Sequence, residues 1–493
     1  MAPLSGEPWG DRRPLGRTQL KTGRRWTTLA AVVAIIALAL SATGVPTAGA
    51  GAITAGESGK RAVAHYAGGK VIRSAAVTRK APKPVLSRIG INSGEPTIGM
   101  TNDGAVFTSA IQSNTRVEVV RSTDQGKSWD IVSPKLGERN SQALTLDPYT
   151  YVDNRLGDTD LSRVYTIDLT VACSLLSFSD DNGESWITNP LACGRPVNDH
   201  HTLFTGPPVS SPTVGYPNIV YYCWNDVASS GCSKSLDGGL TFSASGTPAY
   251  PGVDPDAGGF CGGLHGHGFV GDDGTVFLPK GHCGQPWLSI SKDEGLSWTR
   301  VQVAKNGVAE HEAGVASDAR GNIYYTWVGR DRLPYLAVSK NGGKKWTKPM
   351  MIGAPGVKEA NLPSLDVGGN GKIAFTYMGS ENSPFIPGDE STEDPDYTET
   401  TWNGYMMISA NADSKRPTFY SATVNNKKDP LYRGECGPGR CGAVWDFIDI
   451  VIDRGQVWAA FVDACIAICS TTGPSNLGGD GITGHLVGGP PLR

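Results

Sequence analysis

Short apolar stretches separated by turn signals recur through residues 90 to 480, and helical periodicity is absent there. Residues 265–291 show the pattern: an apolar run ends at Val270, the turn Asp272-Asp273-Gly274 follows, and new apolar runs begin at Thr275 and Trp287. Alternating apolar and β-branched residues between such turns are typical of β-strands. The pattern therefore predicts an all-β chain.

An eight-residue motif, Ser-x-Asp-x-Gly-x-x-aromatic, follows five of these groups of strands. Its copies are Ser122–Trp129, Ser179–Trp186, Ser235–Phe242, Ser291–Trp298 and Ser339–Trp346. The last copy has Asn341 at the Asp position, and successive copies begin 57, 56, 56 and 48 residues apart. That spacing accommodates one four-stranded sheet per repeat, so it predicts a β-propeller of four-stranded blades.

Two further units, residues 360–425 and 443–485, lack a good copy of the motif. With them the prediction is seven blades, and six blades is the alternative. We expect the seventh blade to close by pairing with a strand near Ile89, because closure removes exposed sheet edges.

Each position of the motif has a mechanical role in a tight hairpin. Ser and Asp can bond nearby backbone groups, Gly permits a positive φ, and the aromatic ring anchors the turn. The motif resembles the Asp box, or BNR repeat, of sialidases and of other secreted or glycan-directed propellers. The resemblance implies that the boxes are structural turns on the face opposite the active site.

A polar residue recurs at one register, which we take as the start of the innermost strand, in five units. Counting back nine positions from the residue that opens the second strand reaches Glu95, Asp153, His265, Glu312 and Asp446. In the third and sixth units, residues 199–201 and 359–361 occupy the equivalent stretches. Because innermost strands begin at one mouth of the channel, this register predicts a functional site there, opposite the boxes.

Histidines and carboxylates from neighbouring blades converge on the predicted mouth. The candidate ligands for a divalent metal such as Zn or Mn are His201, His265, His267 and His311. Glu312 or Asp153 suits a catalytic acid or base. The alternative is that these side chains are hydrogen-bonded polar residues that fill the channel.

Sialidases hold the sugar carboxylate with three arginines and cleave with a Tyr–Glu nucleophile pair, so the resemblance implies matching residues on the same face. The substrate-binding candidates are Arg155, Arg330, Arg332 and Asp446, and the candidate phenol is Tyr405. A planar guanidinium can bond both oxygens of a carboxylate. The family's Arg-Ile-Pro signature is missing, and the nearest string is Arg88-Ile89-Gly90.

The amino-terminal residues 1–50 are typical of an export signal. Basic residues, among them Arg24 and Arg25, precede an apolar run from Leu29 to Leu40 that is too short to span a bilayer comfortably. We therefore expect a cleaved signal peptide and no membrane anchor. Residues 51–88 are predicted to be a flexible leader, residues 89–485 the propeller, and residues 486–493 a carboxy-terminal tail.

Ten cysteines in an exported chain indicate disulfides, and propeller contacts favour pairs that are close in sequence. The predicted pairs are Cys173–Cys193, Cys223–Cys232, Cys261–Cys283, Cys436–Cys441 and Cys465–Cys469. Free or metal-bound thiols are the alternative, although no pair has CxxC spacing.

Net charge excludes one class of partner. Without residues 1–50 the chain has 38 Lys and Arg against 45 Asp and Glu, a net charge of −7. This balance gives no electrostatic basis for binding nucleic acid.

These features lead to three hypotheses for a secreted, extracellular monomer. The leading one is a sialidase-like propeller that acts on glycans, with an exo-glycosidase of acidic sugars as its sharpest form. The second is a metal-dependent lyase or hydrolase that uses the histidines and carboxylates at the mouth. The third is a propeller that binds a glycan or a protein without catalysis.

Overall fold

The structure is a computed structural model that describes most of the chain beyond residue 60. The described residues are 61–67, 70–75, 80–112, 116–135, 147–154, 161–169, 174–189, 199–226, 229–254, 259–309, 312–387, 400–434, 436, 444–465 and 479–493. All of them belong to one compact unit, Ala50–Arg493. Within these ranges the regular elements are β-strands, and no helix is long and apolar enough to cross a membrane.

Three strands precede the first blade: β1 (Arg61–Ala67), β2 (Lys70–Ala75) and β3 (Lys83–Ser93). Blade 1 contains β4 (Ile98–Met100), β5 (Val106–Gln112), β6 (Arg116–Ser122) and β7 (Asp130–Ile131). Blade 2 contains β8 (Pro148–Asp153), β9 (Arg163–Leu169), β10 (Ser174–Ser179) and β11 (Ile187–Asn189). Blade 3 has three strands, β12 (Asp199–Gly206), β13 (Ile219–Asn225) and β14 (Ser230–Ser235), and is followed by a two-stranded sheet of β15 (Val253–Asp254) and β16 (Gly259–Phe260).

The second half of the chain repeats this arrangement. Blade 4 contains β17 (Phe269–Val270), β18 (Val276–His282), β19 (Gln285–Ser291) and β20 (Thr299–Gln302). Blade 5 contains β21 (Gly314–Ser317), β22 (Ile323–Val328), β23 (Pro334–Ser339) and β24 (Met350–Met351). Blade 6 contains β25 (Glu359–Gly369), β26 (Lys372–Ser380), β27 (Thr401–Ser409) and β28 (Thr418–Thr423), and β29 (Tyr432–Arg433) pairs with β27. Blade 7 contains β30 (Asp449–Asp453), β31 (Gln456–Asp463), β32 (Gly479–Val487) and β3.

The innermost strands form a closed ring. In order around the ring they are β4, β8, β12, β17, β21, β25 and β30, each in contact with the next, and β30 contacts β4. Six of the blades have four or more strands, and blade 3 with its three strands lies between two of them. The all-β propeller with four-stranded blades, predicted from the motif spacing, is therefore confirmed.

The ring closes where the sequence predicts it, by antiparallel pairing of β3 with β32. Val85 pairs with His485, and Ile89 is buried. Pairing runs from Lys83 to Val487, so both strands extend beyond the predicted propeller limits of 89 and 485. Leu492, in the predicted tail, is also buried.

The predicted flexible leader differs from what the structure shows. Strands β1 and β2 lie within residues 51–88, and β1 pairs with the outer strand β28 of blade 6. Val63, Ala64 and Tyr66 are buried, and the Tyr66 hydroxyl donates to the Gly353 carbonyl at 2.6 Å. The apolar residues spaced through β1 cover a sheet edge that would otherwise be open, which is why this segment is ordered.

The Asp boxes are hydrogen-bonded hairpins between the third and fourth strand positions of a blade. In the first, Gly126 N donates to Ser122 Oγ at 2.8 Å and Ser128 N donates to Asp124 Oδ1 at 2.9 Å. The other boxes repeat these two bonds, with Asn341 accepting from Lys345 N in the fifth. Burial alone would raise the pKa of Asp124, but the bonds from Ser128 hold that pKa below its ordinary value.

Two of the five predicted disulfides lie wholly within the described residues, and both are confirmed. Cys223 bonds to Cys232 across β13 and β14, and Cys261 bonds to Cys283. Cys436 and Cys465 are also in disulfides. Their predicted partners, Cys441 and Cys469, and the predicted pair Cys173–Cys193 lie outside the described residues.

Candidate functional site

A cavity of about 320 Å³ lies on the propeller axis, between the innermost strands. Besides its tyrosines, its hydrogen-bonding side chains are Asp153, Asn154, Thr205, His267, Glu312, Ser364, Asp366, Asp449 and Asp453. Its aromatic side chains are Tyr149, Tyr151, Phe269 and Phe447. This volume is at the lower end of the roughly 300–1,000 Å³ range of small-molecule sites.

One end of the cavity lies at the ends of the innermost strands, beside the turns to the second strands. Asp453 there bonds Arg454 Nε at 2.6 Å and accepts from Asn154 Nδ2 at 3.3 Å. These turns are on the same face as the Asp boxes, because the first-to-second and third-to-fourth turns of a blade share one face. The cavity therefore reaches toward the face that carries the Asp boxes, for which the resemblance to Asp-box proteins implied only a structural role.

A His–Asp pair spans the cavity from blade 4 to blade 7. His267 Nδ1 lies 3.3 Å from Asp449 Oδ1, and both side chains are partly exposed. Asp449 is fixed by three further bonds, from Ser364 Oγ at 2.9 Å, from Ile98 N at 3.2 Å and from Ile450 N at 2.8 Å. A carboxylate in this position favours the proton on Nδ1, which leaves Nε2 as a base or ligand atom.

Phe447 blocks the axis at the other end of the cavity. Its ring centre lies 5.1 Å from the ring centres of His200 and His267 and 6.4 Å from that of Tyr149. These rings come from blades 7, 3, 4 and 2, so they close the channel between opposite sides. The predicted mouth is therefore filled by an aromatic layer.

Behind this layer lies a buried set of polar residues, here called the polar ring. It comprises Glu95, Asp147, His200, His265, Glu312 and Asp446, one each from blades 1, 2, 3, 4, 5 and 7. None of them is more than 8% exposed. His200 N donates to Asp147 Oδ2 at 2.9 Å, and Asp446 N donates to Glu95 Oε1 at 3.3 Å, which links neighbouring blades.

Burial shifts the protonation of the polar ring toward neutral forms. Desolvation, with the charges of Asp147 and Asp446, raises the pKa of Glu95 well above its ordinary value. Desolvation and the charge of Asp199 raise the pKa of Asp147 to about 7. Desolvation lowers the pKa of His265 to about 3 and that of His200 well below its ordinary value. At neutral pH both imidazoles are therefore uncharged.

Strained backbone places the polar ring. Glu95, His200, Leu362 and Trp445 all have positive φ, between 45° and 68°, at the starts of four innermost strands. Register shifts accompany them in β12, between Asp199 and Thr202, and in β25, between Asn361 and Ser364. Such conformations cost of order 1–3 kcal/mol each and cluster at functional sites.

The predicted mouth register is right for Glu95, His265, Glu312 and Asp446 and wrong for Asp153. Asp153 pairs with Arg163 at the opposite end of β8, where its Oδ2 accepts from Tyr216 and Asn218 at 2.7 and 2.9 Å. The turn between β8 and β9 is longer than its counterparts, so counting back nine positions stops too late. Asp147 occupies the mouth register, and its place directly before the apolar run of β8 is the signal that the count missed.

The predicted sialidase residues do not assemble at the cavity. Arg332 bonds Glu359 at 2.6 Å and covers the Phe385 ring at 4.1 Å, and Arg330 packs against Gly307. The Tyr405 hydroxyl donates to Glu381 Oε1 at 3.1 Å, and its ring stacks on Tyr377. None of these three residues lines the cavity. Arg155 lies outside the described residues.

The predicted metal ligands are only partly brought together. His201 and His265 are fully buried, and His267 lies at the cavity. In the described part of the chain, no group of three or more His, Cys, Asp or Glu side chains is already arranged to hold a metal ion. His311 lies outside that part.

Comparison with known proteins finds similar solved structures, all at low sequence identity to this chain. No protein-family model and no curated protein matches the chain. Among solved structures, the phage phi92 endosialidase has a TM-score of 0.45 and 12% identity, over 85% of this chain and 71% of that one. The BP39L lectin from Burkholderia pseudomallei has a TM-score of 0.45 and 9% identity, over 76% and 94%. A protein of unknown function from Dyadobacter fermentans has a TM-score of 0.41 and 14% identity, over 83% and 98%. TM-scores and sequence identities this low do not indicate a particular activity.

Proposed function

We propose that this chain is an exported propeller that binds a carbohydrate in its axial cavity. The observation that carries the proposal is the cavity lining, in which fixed hydrogen-bonding groups face aromatic rings across the axis. Asp449 and Asp453 offer acceptors to hydroxyl groups, and Tyr151 and Phe269, both partly exposed, offer apolar faces. This combination suits a sugar, which has polar edges and apolar faces.

The charge of the lining favours neutral or amino sugars over acidic ones. Five carboxylates line the cavity, whereas none of its described lining residues is Lys or Arg. A sugar carboxylate would meet like charge without a guanidinium to bind it. The hypothesis of an acidic-sugar ligand, which came from the sequence, is therefore less favoured than that of a neutral or amino sugar.

A binding panel of neutral, amino and acidic oligosaccharides tests the proposal. We expect Asp449→Asn to weaken binding of the selected glycan at least tenfold, because it removes a charged acceptor and the partner of His267. Asp413→Asn is the matched control, since Asp413 lies by the box face of blade 6 and pairs with Arg320 at 3.2 Å. Absence of any glycan binding, or equal loss in both variants, would refute the proposal.

Hydrolysis of a glycosidic bond is the second candidate function, favoured by one observation. Glu312 and the His267–Asp449 pair line the same cavity, so a carboxyl group and an imidazole can both reach a bound ligand. If the protein is a glycosidase, Glu312→Gln should lower kcat by about 10² to 10⁴ while ligand binding persists. Unchanged turnover in that variant would exclude Glu312 as the acid or base.

Export is proposed on the amino-terminal pattern and is compatible with the two disulfides, which persist in oxidising compartments. Sequencing the amino terminus of the protein recovered from culture medium tests it. We expect a mature chain that begins near residue 51, and retention of Met1 in the recovered protein would refute cleavage.

A further inference from the structure

We propose that the polar ring holds a divalent transition-metal ion, with His200, His265 and Glu312 as its protein ligands. These residues come from blades 3, 4 and 5 and lie behind the aromatic layer of Phe447. The proposal goes beyond carbohydrate binding, since His200 and His265 do not line the cavity, although Glu312 does.

His265 has the bonding pattern of a metal-binding imidazole. Its Nδ1 lies 2.9 Å from the Gly266 carbonyl oxygen, which can only accept, so Nδ1 carries the proton. Nε2 is then left with a lone pair, and that atom is fully buried without a hydrogen-bond partner. Proteins usually orient a metal-binding imidazole by a hydrogen bond from the other ring nitrogen, for example to a backbone carbonyl.

His200 presents a second buried imidazole beside the first. The side chain is 1% exposed, and neither ring nitrogen has a hydrogen-bond partner. Its ring centre lies 5.5 Å from that of His265. Two imidazoles on one tetrahedral ion, with metal–nitrogen distances near 2.0–2.1 Å, have ring centres about 5.2 Å apart. The separation of the two ring centres is therefore compatible with a shared ion.

Glu312 can supply the third ligand and a negative charge. Its Oε1 lies 4.0 Å from His200 Nδ1, whereas ligand atoms on one tetrahedral ion are about 3.3 Å apart. Binding would thus draw the carboxylate inward by less than 1 Å. Two imidazoles and a carboxylate are a ligand set that suits Zn²⁺ or Mn²⁺.

The electrostatic surroundings are compatible with this ion. Both imidazoles are buried near carboxylates: His200 Nδ1 lies 4.0 Å from Glu312 Oε1, and His200 N donates to Asp147 Oδ2 at 2.9 Å. Lys280 is a buried cation in the same blade as His265, and its Nζ donates to Ser230 Oγ at 3.1 Å. The lone pairs of His200 and His265 otherwise remain buried at a cost in free energy.

Metal retention by the mature, exported chain tests the site. The protein is incubated with Zn²⁺ or Mn²⁺, desalted, and analysed by inductively coupled plasma mass spectrometry. We expect about one ion per chain in the wild type and at least a tenfold lower content in His200→Gln and His265→Gln. His485→Gln is the matched control, since His485 also has a buried, unpartnered nitrogen but stacks on Trp458 in blade 7. It should retain the ion.

Two results would overturn the proposal: no ion retained by the folded wild type, or the same content in the His200 and His265 variants as in the wild type. If circular dichroism shows that those variants do not fold, X-ray absorption of the metal-loaded wild type decides. Imidazole scattering with nitrogen or oxygen ligands near 2.0–2.1 Å supports the site, and a spectrum without imidazole refutes it.

Discussion

Replacing Asp147 by Asn should remove a pH-dependent loss of stability. Asp147 is buried beside Glu95 and Asp446, and desolvation with the charge of Asp199 raises its pKa from 3.8 to about 7. The folded state then holds a proton that the unfolded state releases, so stability contributed by the neutral form is full below about pH 4 and is lost as the pH rises to about 7. A shift between those values corresponds to about 4 kcal/mol, at about 1.4 kcal/mol per pH unit.

Urea denaturation of wild type and Asp147→Asn between pH 4 and pH 8 measures this difference. Relative to the wild type, the variant should gain stability as the pH rises, by up to about 4 kcal/mol at pH 8. Asn can still accept the 2.9 Å bond from His200 N, so the backbone contact is kept. Asp237→Asn in the third Asp box is a control of opposite sign, because bonds from Thr241 outweigh burial and lower the pKa of Asp237. Parallel pH profiles for wild type and Asp147→Asn would refute the assignment of a buried, protonated Asp147.

Three further predictions test the scaffold and the placement of the site. Glu294→Gln should destabilise the fold by about 3–5 kcal/mol in urea denaturation, because buried Glu294 accepts from Val209 N and Ser210 N and pairs with Lys234. Glu184→Gln, at an exposed box position, is the control and should cost less than about 1 kcal/mol. Equal losses of stability in the two variants would contradict the argument. Replacing Cys223 and Cys232 together by Ala should lower the free energy of unfolding by about 3 kcal/mol, because the disulfide closes a loop between residues nine positions apart. An unchanged free energy of unfolding would show that this loop is already constrained in the unfolded chain without the disulfide. Tyr405→Phe should leave ligand binding or turnover within twofold of wild type in calorimetry or kinetic assays, because the Tyr405 hydroxyl donates to Glu381 away from the cavity. A loss of binding or turnover in this variant would indicate that the site lies in blade 6.

The fold was predictable because each Asp box reports its own blade. Ser122, Asp124 and Gly126 bond within a few residues of one another, so the motif is visible in sequence and its spacing gives the repeat. The closing strand was also predictable, since Ile89 and Ile91 alternate with Arg88, Gly90 and Asn92 before the first unit. The pairing of β1 with β28 was not, because a contact between residues 61 and 422 leaves no local signal.

The candidate site was predictable only where blades have regular turns. Glu95, His265, Glu312 and Asp446 lie at the expected register, whereas the longer turn after β8 displaced the count to Asp153. The pairing of His267 with Asp449 joins blades 4 and 7 across the axis, and no spacing in the sequence encodes that distance. Arg332 does not line the cavity; it bonds Glu359 in the next blade, a contact that the sequence spacing does not reveal.

The sharpest test of the central claim fills the cavity and measures glycan binding. Val451 lies two residues from both Asp449 and Asp453 on β30 and, like them, lines the cavity and is partly exposed. Isothermal titration calorimetry with the glycan selected from the panel should show binding to the wild type and none to Val451→Trp, whose thermal unfolding should remain cooperative. Undiminished binding to a folded Val451→Trp variant would show that the ligand site lies elsewhere, and would contradict the account.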